Sequence, residues 1–121
     1  MPESVEKLEI WQEAVEIVRI VYELTKSWPR EEMYGLTSQI RRAAVSIPAN
    51  LAEGVGRGGP GEMGRFAQIA LGSLYELDTL LYLGVELKYA SQTEVTPIRD
   101  RLTLLAKRIS SFIRKRIVSS E

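Results

Sequence analysis

The chain of 121 residues contains no histidine and no cysteine. Without imidazole there is no Ser-His or Cys-His pair, no ordinary general base titrating near neutrality and no His-ligated metal. The Glu-x-x-His pairs of di-iron helical bundles cannot be written either. Without thiols there is no disulfide framework, no thiolate nucleophile and no Cys-based zinc site. Catalysis would have to rest on carboxylates, lysines, tyrosines or serines, so the expectation is a non-enzyme with no metal and no cofactor. No stretch approaches the roughly 20 apolar residues of a membrane span. Met1-Pro2-Glu3-Ser4 is not a basic segment leading into an apolar one, so the expected compartment is the cytoplasm, with no membrane partner.

What remains is ordinary in bulk and uneven in detail. Hydrophobic residues make up 45% and charged residues 26%, the balance of a soluble globular protein. The length suits a single domain over residues 1–121. Formal net charge is zero, yet residues 1–32 hold eight acids and four bases, while 97–121 hold seven bases and two acids. The basic surplus sits in the last segment.

Four segments carry helical periodicity, at about 7–27, 34–56, 60–88 and 97–118. In the first, Ile10, Ala14, Ile17, Val21 and Leu24 form one seam. Beside it lies a second stripe, Trp11, Val15, Val18 and Tyr22. Together they span an arc of about 150°, wider than the roughly 100° expected of a helix facing one core. Two readings stand: a helix wedged deeply between its neighbours, or a Trp11 stripe that meets another subunit. Trp28-Pro29 ends the segment, because the residue before proline avoids helical geometry.

The second segment places Leu36, Ile40, Ala43, Ile47, Leu51 and Val55 on the core side, with Pro48 inside the helix and a kink expected there. Gln39, Arg42, Ser46, Asn50, Glu53 and Arg57 project along one stripe, read as a buried or interfacial hydrogen-bond network. Ser38, Val45, Ala49, Ala52 and Gly56 make a third, small face that permits close helix approach. Five of the nine glycines fall between Gly54 and Gly61, where Gly54-Val-Gly-Arg-Gly-Gly59 matches G-x-G-x-x-G. A dinucleotide fingerprint needs a preceding strand. Here a helix precedes, so the glycines are read as a helix C-terminus, and Pro60 as the first position of the next helix.

The third segment is also too apolar for one contact face, with Leu71, Leu74, Leu81 and Val85 beside its main seam. Glu76 and Asp78 are the carboxylates expected to be partly covered and paired with arginines. A carboxylate enzyme or metal site would need two of Glu53, Glu76 and Asp78 to converge. In the fourth segment Ser91-x-x-Glu94 resembles a capping box, while Thr96-Pro97 is a competing start. The expectation is a short turn, then the main helix from Pro97. Arg101, Arg108 and Lys115 stack on one flank, with Lys107 and Arg114 beside them. Four such helices with short links form an all-α, antiparallel up-down-up-down four-helix bundle. First and last helices are then neighbours. The basic residues either meet Glu9, Glu16 and Glu23 of the first helix or face the phosphates of a nucleic acid.

The stretch Tyr34 to Gly54, YGLTSQIRRAAVSIPANLAEG, with Leu8-Glu-Ile-Trp11-Gln12 before it and Arg65-Phe66, Ile69 to Leu74 and Glu76-Leu77 after it, closely resembles one family. Its members are the four-helix bundles encoded in intervening sequences of bacterial 23S ribosomal RNA genes, with which the accessory variability determinant of diversity-generating retroelements is grouped. The resemblance implies a ring-like homo-oligomer, a pentamer, and no established catalytic residues. The retroelement branch implies RNA, DNA or a reverse transcriptase as partner. Carried onto this sequence, it makes Arg41 and Arg42 polar-surface or phosphate contacts and Ser46, Pro48, Asn50, Glu53 and Gly54 structural. The expected function is a homo-oligomeric, non-enzymatic adaptor, the alternative a purely protein-protein scaffold.

Overall fold

The structure is a computed structural model that describes residues 3–120, with side chains over 4–116. Five α-helices follow one another: α1 (Glu3–Glu6), α2 (Glu9–Thr25), α3 (Leu36–Arg57), α4 (Pro60–Glu86) and α5 (Gln92–Ser120). A single 3-10 turn, Arg30–Glu32, lies between α2 and α3. The four long helices pack in cyclic order, α2 on α3, α3 on α4, α4 on α5 and α5 back on α2, and among the described residues the backbones of the diagonal pairs do not approach each other. This is the up-down-up-down bundle that short links between antiparallel neighbours impose.

The apolar seams point inward. Ile17 and Val21, Ile40 and Ile47, Leu77 and Leu81, and Leu105 and Ile109 are completely excluded from solvent. Each such side chain contributes roughly 1.5–3 kcal/mol by leaving water. At one end of α3 and α4 the helices come unusually close. A Cβ on Gly54 would stand 3.0 Å from the Phe66 Cβ and 3.2 Å from the Met63 Cα, so this glycine is present for close approach. The chain then reverses through Gly58 and Gly59, whose φ of 73° and 83° are left-handed and favour glycine over any residue with a Cβ.

Three boundaries differ from expectation. Leu8 is extended, so residues 3–6 form their own turn and α2 starts at Glu9. Tyr34 and Gly35 precede α3, and the first turn is capped by Glu32, whose Oε1 accepts the Leu36 amide at 3.0 Å. α5 begins at Gln92, five residues before Pro97, because the capping box forms. Ser91 N–H donates to Glu94 Oε1 at 2.9 Å, and Glu94 N–H donates to Ser91 Oγ at 3.1 Å. Pro97 then costs only the amide that would have met the Thr93 carbonyl, and the helix runs through it. α3 is likewise continuous through Pro48, which is buried.

The opposite end is closed by side chains. α4 stops in a Schellman arrangement, Tyr89 N–H to the Gly84 carbonyl at 2.9 Å and Lys88 N–H to Val85 at 3.0 Å, with Lys88 at a φ of 66°. The turn carries Tyr89 back over the bundle end. There its ring lies 5.7 Å from that of Trp28, and its hydroxyl donates to Glu32 Oε2 at 2.9 Å. Trp28 in turn rests directly on Gly84, where an added Cβ would come within 2.8 Å of the indole. Glu32 thus joins the start of α3 to the end of α4. The Leu36 amide first and the Tyr89 hydroxyl second hold its carboxyl below the usual carboxylate range, and the same carboxylate raises the Tyr89 phenol.

Candidate functional site

The three carboxylates raised as a possible acid–base or metal set lie apart. Glu53 of α3 pairs with Arg57 at 3.5 Å. Asp78 of α4 accepts two bonds from Arg99 of α5, at 2.8 and 3.2 Å, which raises the Arg99 guanidinium. Glu76, expected to be partly covered, is exposed and lines the cleft on the other flank of α4. Among the described residues no cluster of three or more His, Cys, Asp or Glu side chains is placed to hold a metal ion.

The polar stripe of α3 is divided. Its centre forms a compact network: Ser46 Oγ lies 2.7 Å from Ser73 Oγ of α4, and Asn50 Nδ2 donates to the Ser46 carbonyl at 2.8 Å and to its Oγ at 2.9 Å. Gln39, Arg42, Glu53 and Arg57 are exposed. Gln39, Arg42 and Ser46 face Glu76 across a cleft of about 430 Å³ between α3 and α4. Pro48 and Gly54 are buried.

The basic residues are sorted by the seven-residue spacing that returns a side chain to the same helix flank. Arg101, Arg108 and Lys115 turn toward α2. Arg101 Nε donates to Glu13 Oε1 at 2.7 Å, which raises its guanidinium. The acid is Glu13, one turn from the Glu9, Glu16 and Glu23 column that was expected to meet it. Arg108 and Lys115 line a groove of about 310 Å³ with Glu9, Phe112 and Arg116. Lys107 and Arg114 turn the other way, into a cleft of about 340 Å³ between α4 and α5. Arg41 is withdrawn from the surface set. Its Nε donates to the buried Thr25 Oγ1 at 2.9 Å, and its guanidinium lies 4.5 Å over the Tyr22 ring. Arg42 remains in the open.

Apolar surface remains on both of the helices whose stripes are too wide for one contact face, but unequally. Trp11 and Val18 are half-buried and pack on the core, Val15 is half-buried, and Tyr22 lies under Arg41. More is left uncovered on α3, α4 and the residue that ends α4, where Val45, Ile69, Leu83 and Leu87 are between 39% and 52% exposed. Ile69 and Leu83 stand one heptad either side of Glu76, hence on the flank toward α3. Tyr75 and Tyr82, at 56% and 51%, lie on the flank toward α5. Periodicity marked α4 as too apolar without showing that the excess divides between two flanks.

These features define a helical bundle whose chemistry lies in its grooves and outward faces. The chain belongs to the family of 23S rRNA-intervening sequence proteins, whose model matches residues 6–111. A crystal structure of a protein with unknown function from the S23 ribosomal protein family of Bacteroides thetaiotaomicron shares the fold. It is 24% identical, with a TM-score of 0.75 over 86% of this chain and 97% of that one. No curated protein matches significantly. Among the described residues no helix is long and apolar enough to cross a membrane.

Proposed function

We propose that this protein is a non-enzymatic adaptor that works as a homo-oligomer, joined through the outward faces of α3 and α4. The supporting observation is the uncovered apolar set Val45, Ile69, Leu83 and Leu87 beside the polar groove of Gln39, Arg42, Ser46 and Glu76. Apolar residues flanked by hydrogen-bonding groups are the composition of an interface between subunits. The Trp11 stripe is the lesser candidate, since much of it already packs on its own core. A ring of five copies, the number that the family resemblance implies, would have five times the chain mass of 13.6 kDa.

Light scattering on the purified protein tests this reading. Leu83→Glu together with Val45→Arg should break the assembly while leaving the helical circular dichroism unchanged. A monomeric wild-type protein at high concentration would defeat the proposal. Loss of assembly in Trp11→Ala alone would move the contact to α2.

A second reading, in which the adaptor's partner is RNA, DNA or an enzyme acting on them such as a reverse transcriptase, is favoured by one observation. Lys107 and Arg114 share a cleft and have no acidic partner among the described residues. Affinity for nucleic acid should then fall as salt rises, with a shallow slope set by the few phosphates neutralised. Absence of binding at low salt to either RNA or DNA would leave the scaffold alone.

A further inference from the structure

A basic helix flank without aromatic residues between its cations is a poor platform for bases, and the flank of α5 that carries Lys107 and Arg114 reads that way. Folding changes this. The antiparallel packing of α4 on α5 brings Tyr75 into the same cleft as Lys107 and Arg114. Tyr82, one heptad along α4, has the Arg99 guanidinium 5.7 Å from its ring. Rings from α4 thus stand beside cations of α5 at two places on this flank, in the cleft at Tyr75 and again at Tyr82. The floor of the cleft is apolar, made by Leu74, Leu102 and Ala106, which are 2%, 1% and 7% exposed. Thr103 and Ser110 add hydroxyls to its walls. Asp78, the acid that lines it, is occupied by two bonds from Arg99, so its charge is offset where an anion would arrive.

We infer that the α4–α5 groove binds single-stranded nucleic acid, one unstacked base lying in the cleft against Tyr75 and the adjoining phosphates meeting Lys107 and Arg114. This rests on the nucleic-acid reading above and goes further, by naming the form of the ligand and the ring that receives it. The cleft of about 340 Å³ is at the small end of ligand pockets, roughly 300–1,000 Å³. A duplex keeps its bases stacked inside and has only phosphates to offer such a groove, whereas a single strand exposes both base face and phosphate. The two exposed tyrosines supply stacking that tolerates any base, so the preference is for strandedness above sequence.

The experiment is fluorescence anisotropy at low salt with a labelled single strand of about 20 nucleotides and the duplex of the same sequence. The wild-type protein should bind the single strand about tenfold more tightly than the duplex. Tyr75→Leu should lose about tenfold for the single strand, the scale of one stacked base, and nothing for the duplex, while Tyr75→Phe keeps the wild-type value. Lys107→Ala with Arg114→Ala should weaken both ligands and flatten the salt dependence. All these side chains are exposed, and circular dichroism checks that each variant stays helical. Equal binding of both ligands with Tyr75→Leu unchanged would overturn the inference while leaving phosphate binding by α5 intact. Absence of binding to either ligand would end both the inference and the reading beneath it.

Discussion

Trp28 and Tyr75 are both large rings at the rim of the bundle, yet one is 7% exposed and the other 56%. Around Trp28 the chain has closed on itself: Gly84 makes room for the indole, Tyr89 covers it, and Glu32 ties the covering tyrosine to the start of α3. Nearby, Arg41 meets both Thr25 and Tyr22. Around Tyr75 the cations Lys107 and Arg114 have no ion-pair partner among the described residues, and the ring borders an open cleft whose one acid, Asp78, is held by Arg99. Side chains in the first region pack or bond within the fold, apart from the Trp28 indole N–H, which is buried without a hydrogen-bond partner. Those in the second are left exposed by the fold and should add little to its stability.

Truncation should separate the two regions most sharply. Trp28→Ala should cost about 3–5 kcal/mol, the range for removing a buried large aromatic ring, whereas Tyr75→Ala should stay within about 0.5 kcal/mol of wild type. Urea denaturation followed by circular dichroism measures both. Comparable losses would mean that the α4–α5 cleft is part of the stabilising core. Next in size is Gly84→Ala. Overpacking against the indole costs ~1–3 kcal/mol, and the gain in helix propensity returns about 1 kcal/mol. A net loss of about 0–2 kcal/mol is expected, and a stabilised variant would show that Trp28 yields easily.

The same contrast explains what could be read before folding. The four long helices and their core seams were legible because period 3.6 is written locally, in Ile10 to Val21 or Leu36 to Leu51. The start of α5 was misjudged because two local signals competed, and the reciprocal Ser91–Glu94 bonds outweighed the proline five residues into the helix. Gly54 was read with its neighbours as a helix C-terminus and, by resemblance, as structural, yet it lies buried inside α3; its physical reason, the Phe66 and Met63 atoms that approach it, lies on another helix. The Trp28–Gly84–Tyr89 closure and the Tyr75–Lys107–Arg114 cleft were invisible for the same cause. Each joins residues distant in sequence, and nothing local announces the meeting. Arg41 shows the converse, a cation that looks free in sequence and is bound to Thr25 in the fold.

Glu32 offers a pH test of the closed region. Its carboxyl is held below the usual range, so the folded state favours its ionised form. The stability it contributes is whole above the unfolded value and is lost as pH falls through the folded one. Tyr89 is shifted upward, so its share is whole below the ordinary phenol value and is lost as pH rises through the raised one. Stability should therefore be level through neutrality and decline at both extremes. Glu32→Gln should remove this residue's part of the acid decline and leave the contributions of other carboxylates. An acid limb identical to wild type would show that the Glu32 bonds do not form in solution.

The smallest effect distinguishes the two kinds of cation on α5. Arg101 and Arg108 lie one heptad apart on the same flank, but Arg101 holds Glu13 at 2.7 Å and Arg108 has no ion-pair partner among the described residues. Both members of the Arg101–Glu13 pair keep roughly a third of their side-chain surface in water, 39% and 27%, so solvent screens the attraction and at most about 1 kcal/mol is expected. In a double-mutant cycle Arg101→Gln and Glu13→Gln should couple by about 0.5 kcal/mol, fading with added salt. Arg108→Gln should change stability by less than the error and show no coupling to Glu13. If Arg108 proved as costly as Arg101, the flank toward α2 would be a continuous ion-pair seam. The charge left over for any partner would then be confined to the Lys107 and Arg114 side.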